Sequence, residues 1–193
     1  GLAIAERMNT QVRGMNVAVR NANDAISLAQ TAEGALSKIN DMGQRMRELA
    51  VQSANATNNE TDRESLDAEF QALSAEIKRN LEGTSFNGTK LFAALATMTF
   101  QVGANNTATD QIAVVTTNLT TDTTMTGILG GGGGATAADI KNVDKSREAL
   151  DKLDKMLATV NSKRAEFGAT QNRFEAVIQT LQVSAENQTA ARS

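Results

Sequence analysis

The sequence contains no cysteine, histidine, tryptophan, tyrosine or proline, and only 3% of it is aromatic. Histidine is the side chain that most often serves as a general base near neutral pH, so the commonest acid–base machinery is missing. Without Cys or His, nearly all zinc and iron sites are excluded as well. A cysteine-free chain needs no disulfide, whatever compartment it occupies. Charge of one sign is equally scarce: 19 basic and 22 acidic residues leave a net charge of −3. That balance offers no electrostatic case for nucleic acid or for an anionic membrane. Long apolar runs are absent too; the longest, Leu91 to Phe100, is about half a bilayer span and carries two threonines.

Ala, Val, Leu, Ile and Met make up most of the 40% hydrophobic content, a composition suited to helix packing. From about Leu2 to Ala54 the glycines (Gly14, Gly34, Gly43) are isolated. Met8, Val12, Met15, Val19, Ala22, Ile26 and Ala29 recur at alternating spacings of four and three. Leu28, Ala32, Ala35, Ile39, Met42, Met46 and Leu49 repeat the rhythm as a second stripe. The spacing predicts one helix of ~50 residues, which would be ~75 Å long. The Asn- and Thr-rich Asn55 to Asn59 ends it. Thr61-Asp62-Arg63-Glu64 reads as the capping box of a second helix. That helix carries Leu66, Phe70, Leu73, Ile77 and Leu81 to a stop at Gly83. The two helices are expected to form an antiparallel hairpin.

Beyond Thr84 the pattern changes. Asn87-Gly88 signals a tight turn. Thr97 to Val102 and Gln111 to Thr117 are β-branched stretches around the polar loop Gly103 to Asp110, a β-hairpin pattern. Gly130 to Gly134 is a run of consecutive glycines, so Thr120 to Ala135 is expected to be a mobile linker. Thr136 to Asp139 reads as the cap of a third helix, also ~50 residues long. Its stripe is Val143, Leu150, Leu153, Leu157, Val160, Phe167, Phe174, Ile178, Leu181 and Ala185, with Ser146, Arg164 and Gln171 at the remaining heptad places.

The fold class that follows is mainly α: a long antiparallel bundle of two ~50-residue helices and one ~20-residue helix, with a β-hairpin tip. Residues 1–83 form the helical hairpin, 84–118 the β-hairpin region, 119–137 a Thr/Gly-rich linker and 138–193 the last helix. Both ends lie inside helical patterns, so the first and third helices are expected to continue in a longer polypeptide.

No residue is assigned a catalytic, metal-binding or cofactor-binding role. The glycine run lacks the Gly-Lys-Ser/Thr ending of a phosphate loop, and a HExxH metalloprotease site needs histidine. Glu64, Asp67 and Glu69 read as a solvated helix face. A hydrolase built on a helical scaffold would need a nucleophile–base pairing, and none stands out.

Several segments are specific. Gly1 to Met8 (GLAIAERM), Asn21 to Gly34 (NANDAISLAQTAEG) and Gln44 to Asn55 (QRMRELAVQSAN) resemble the amino-terminal helices of bacterial flagellins. Glu82 to Leu91 (EGTSFNGTKL) and Gln101 to Asn105 (QVGAN) are similar to the family's turn and hairpin entrance, with Phe92 where a second Leu is usual. Arg164 to Asn172 (RAEFGATQN) and Arg173 to Leu181 (RFEAVIQTL) resemble its carboxy-terminal rod helix, with Phe167 in place of Leu. On this resemblance the chain is a flagellin rod core without the terminal coiled-coil segments and the usual outer domains.

The resemblance implies a structural subunit that stacks axially and laterally into the filament used for swimming, secreted and extracellular, with no cofactor. It implies as partners other copies of the subunit, an export chaperone, the filament cap and, in a host, Toll-like receptor 5; nucleic acid and membrane are not among them. It also implies a receptor and axial-contact set of Gln44, Arg45, Leu49, Gln52, Leu66 and Glu69. A hook–filament junction protein of the same architecture is the alternative.

Overall fold

The computed structural model describes residues 1–192. Its helices are α1 (Leu2–Ser53), α2 (Glu60–Gly83), α3 (Thr123–Leu129) and α4 (Val143–Arg192). Two antiparallel strand pairs accompany them: β1 (Ser85–Phe86) with β2 (Thr89–Lys90), and β3 (Thr97–Gln101) with β4 (Gln111–Val115). The chain divides into two compact units. The first holds residues 1–31, 96–115 and the chain from Glu166 onward; the second holds residues 32–95 and 116–165.

In the first unit, β3–β4 packs on helix. Met98 pairs with Val114 and Phe100 with Ile112, and the Phe100 ring meets Phe174 of α4 edge-on at 5.7 Å. The Asn21 side chain on α1 donates to the Gln101 carbonyl at 3.0 Å. The buried face of α1 here is alanine-rich: Ala18, Ala22, Ala25 and Ala29, with Leu28. Small side chains let neighbouring elements approach closely, so this face differs from the expected stripe. Met8, Val12, Met15, Val19 and Ile26 are only half-buried.

In the second unit the stripe is close to that expected. Leu28 belongs to the first unit, but Ala32, Ile39, Met46 and Leu49 are buried, joined by Leu36 and Ala50. Phe70, Ile77 and Leu81 of α2 and Leu153, Met156, Leu157 and Val160 of α4 complete the core. Arg164 pairs with Glu33 and Arg47 with Asp154, so α1 and α4 run antiparallel here.

Three boundaries differ from the sequence reading. The cap of α2 is Asn59, not Thr61. Its side chain accepts from the Asp62 N–H at 2.7 Å, and the Asp62 carboxylate accepts from the Asn59 N–H at 3.0 Å. The box therefore sits two residues earlier, because Asn offers the same acceptor as Thr. The start of α4 is set by Asn142, whose Oδ1 accepts from the Lys145 N–H at 2.8 Å, and not by Thr136 to Asp139.

The third difference is the linker of 119–137. It holds α3, whose Met125 and Ile128 are fully buried and whose first turn is capped by Asp122 through the Thr124 N–H at 2.9 Å. Thr124 also reaches Thr159 of α4 at 2.7 Å between hydroxyls. Burial of two large side chains offsets the low helix propensity of the threonines. The glycine run closes on itself: Gly131 and Ala135 exchange N–H···O bonds of 2.9 and 3.1 Å. Gly130 has φ 73°, and a Cβ there would lie 2.7 Å from the Ala137 nitrogen, so glycine is required at that position. At Asn87-Gly88 both residues take positive φ, as the tight β1–β2 turn demands.

Candidate contact surface

The residues implied as a contact set lie on α1 and α2 of the second unit. Arg45 is their centre. Its guanidinium forks onto Glu69 of α2, with Nε to Oε1 at 3.1 Å and Nη2 to Oε2 at 3.2 Å, and Nη1 reaches Glu48 at 3.1 Å. The planar fork of arginine suits this two-point geometry. The Glu69 hydrogen bond, then that of Glu48, raises the Arg45 pKa above its ordinary value. All three side chains remain open, Arg45 and Glu69 at 47% and Glu48 at 68% of full exposure. Pairs this exposed are screened and add little stability.

Gln44 and Gln52 are exposed on the same helix, and Leu66 of α2 is half-buried. Leu49 must be corrected. It is 0% exposed, because it belongs to the heptad stripe that faces the core, and so presents no surface to a partner. In this unit α1 exposes a large apolar residue at Val51, 51% exposed. Gln44, Arg47, Glu48 and Val51, at helical spacings of three and four, line a shallow depression of about 260 Å³. Beside it Arg47 holds Asp154 of α4, Nε to Oδ1 at 2.8 Å, and that hydrogen bond keeps the Asp154 carboxyl below its usual pKa.

The sequence reading missed the polar contacts that set the angle of this hairpin. Arg63 donates to the Ser53 and Asn55 carbonyls at 2.9 and 3.0 Å, and the Asn58 amide donates to the Gln52 carbonyl at 2.7 Å. The Gln52 and Ser53 carbonyls are the last of α1, which the helix cannot satisfy itself, and that of Asn55 lies in the turn that follows. Asp67 is not on a solvated face. It is buried, and its Oδ1 accepts from the Ile140 N–H at 3.1 Å and from Gln71 at 3.2 Å. Ser53 donates to the Ile140 carbonyl at 2.6 Å, so the fully buried Ile140 ties α1 and α2 to the segment before α4. A hydrophobic pattern cannot show that a carboxylate will meet a backbone N–H 73 residues away. Among the described residues no cluster of three or more Asp or Glu is placed to hold a metal ion.

Three comparisons place the chain among known proteins. A family model for the bacterial flagellin N-terminal helical region matches residues 1–97. A flagellin of Halalkalibacterium halodurans is 42% identical over 194 residues, an alignment covering all of this chain and 68% of that protein. The crystal structure of Bacillus cereus flagellin superposes with a TM-score of 0.71 at 31% identity, covering 90% of this chain and 94% of that one. A putative flagellar hook-associated protein from Vibrio parahaemolyticus superposes with a TM-score of 0.75 over 97% of this chain and 94% of its own, at 14% identity, a likeness of fold alone.

Proposed function

This chain belongs to the bacterial flagellin family, structural subunits of the flagellar filament, and we propose that it joins its neighbours in that filament through the face carrying Arg45 and Glu69. The single observation behind this reading is the exposed Arg45–Glu69–Glu48 fork spanning two helices. A rigid, two-helix surface with an arginine at its centre is what a recurring protein contact uses. Gln44 and Gln52 extend the face along α1, and Leu66 extends it along α2. Leu49 supports it from beneath. A contact between different surfaces of successive copies does not close on itself, which is how a subunit generates a filament.

The same face is the proposed site for a host's Toll-like receptor 5; the intact QRMRELAVQSAN segment supports this. Export with a chaperone, addition beneath a filament cap, and an extracellular location follow from the family assignment as further parts of the proposal. A hook–filament junction role is supported only by the likeness of fold to the hook-associated protein. Sequence identity to flagellins favours the filament.

Replacing Arg45 by Ala tests the surface. Melting is expected to move by less than ~0.5 kcal/mol in stability, since the side chain is exposed. Affinity for the receptor ectodomain is expected to fall by about 2 kcal/mol, roughly thirtyfold. Undiminished binding by a folded Arg45→Ala protein would contradict the assignment.

A further inference from the structure

We propose that Asn87, at the tip of the β1–β2 turn, is a site of spontaneous deamidation, converted through a cyclic imide to aspartate and isoaspartate while the hairpin stays folded. Asn87 is the only asparagine of the chain followed by glycine. Both residues are exposed, and neither the Asn87 side chain nor the Gly88 N–H has a hydrogen-bond partner among the described residues. A Cβ at Gly88 would meet nothing within 4 Å, so the space around the attacking nitrogen is open.

The chemistry needs only water. The Gly88 backbone nitrogen forms a bond to the Asn87 Cγ and loses its proton, and the side-chain nitrogen leaves as ammonia. Water then opens the five-membered imide at either carbonyl carbon. Addition at Cγ gives aspartate. Addition at the Asn87 backbone carbonyl carbon leaves the chain running through Cβ and Cγ, as isoaspartate. Nothing is oxidised or reduced. Either product carries a carboxylate where the amide was, so the tip gains a negative charge.

The backbone already stands one step from closure. Ring formation requires the Asn87 Cβ and the Gly88 nitrogen on the same side of the Cα–C bond, with the Asn87 ψ at about −120°, the value of the first central residue in a type II′ turn. With φ of 48° at Asn87 and 80° at Gly88, the turn is in the type I′ form. Types I′ and II′ share the positive φ of the first central residue and differ in the orientation of the peptide plane that follows it. A flip of that one plane takes Gly88 to negative φ and carries its nitrogen to Cγ, and glycine accepts either sign. Both turn types join antiparallel strands, so Phe86 and Thr89 stay paired throughout. A helical asparagine has no such route. Asn161 is exposed and precedes a small residue, Ser162, but it lies inside α4, where rotating ψ breaks the hydrogen-bond ladder.

The change is confined to the tip. Below the turn the Leu91 N–H donates to the Thr84 carbonyl at 3.0 Å, and the Phe92 carbonyl accepts from the Leu119 N–H at 2.8 Å. Leu91 and Phe92 are both buried, so the extra main-chain atom of isoaspartate lies outside the packed part of the hairpin.

The folded chain is held at mildly alkaline pH, and digests taken over time are read by mass spectrometry for a gain of about 1 Da, with isoaspartate identified by an isoaspartyl methyltransferase. The gain is expected at Asn87, with isoaspartate among the products, at a rate within about tenfold of that in the free peptide of residues 84–91, because the flip needs no unfolding. Asn161 is expected to react more than about tenfold slower than Asn87. Asn87→Gln, which would need a six-membered ring, is expected to remove the product while the circular dichroism is unchanged. A folded chain that reacts more slowly than this, and reaches the peptide's rate only in urea, overturns closure within the hairpin. An Asn87 that stays unmodified, or that reacts no faster than Asn161, overturns the site. Aspartate without isoaspartate marks direct hydrolysis and overturns the cyclic route.

Discussion

Leu49 shows how far a single residue can be read. It lies on a heptad stripe and also in a segment that resembles a known contact, and the two readings conflict. Packing decides the matter, since the side chain is fully buried. Arg45 carried no such conflict, because its charge kept it off the stripe, yet its partners Glu69 and Glu48 could be paired only once α2 was seen folded back on α1. The glycines of α1 divide in the same way. A Cβ at Gly34 would meet nothing within 4 Å, whereas one at Gly43 would lie 2.8 Å from Leu157 and 3.1 Å from Met156. Gly34→Ala is expected to raise stability by about 0.5–1 kcal/mol through helix propensity. Gly43→Val, which forces branched bulk into the α1–α4 seam, is expected to lower it by about 1–3 kcal/mol. Urea midpoints of the two variants check both signs.

At the scale of elements, the long helices were legible because heptad spacing persists through them, while short elements were legible only where turn chemistry marked them. The β1–β2 turn announced itself through Asn87-Gly88 and the β3–β4 hairpin through its β-branched strands. Helix α3 did not, since seven residues rich in Thr hold too few turns to show a period. Caps were misplaced by a few residues because Asn, Asp and Thr are near-equivalent acceptors in sequence. Asn59→Ala is expected to cost about 1 kcal/mol, and Thr61→Ala less than ~0.5 kcal/mol, by thermal or urea unfolding. Equal losses would return the cap to Thr61. The glycine loop makes a further prediction. Its ends are already joined at Gly131 and Ala135, so eight Gly/Ser residues inserted after Gly133 are expected to shift stability by only about 0.6 kcal/mol per doubling of the loop. The same insert after Thr126 interrupts α3 and uncouples Met125 from Ile128, and is expected to cost several-fold more.

Across the whole molecule, composition narrowed the classes of function, and the specific segments GLAIAERM, NANDAISLAQTAEG and QRMRELAVQSAN carried the family. The lack of Cys and His removes the commonest general base and zinc ligands, and the helical stripes mark what packs. Less legible was which surfaces are spare. Resemblance of segments implied the members of the Arg45 face, but the pairing of Arg45 with Glu69 and Glu48 follows only from α2 folding back on α1. The central claim is that the Arg45–Glu69 face joins successive copies. A helical reconstruction by electron cryomicroscopy, of filaments assembled from flagellin that carries this chain, tests it most directly. The expected map shows Arg45, Glu48 and Glu69 covered by a neighbouring subunit; a map that leaves these side chains facing solvent along the whole filament would contradict the claim.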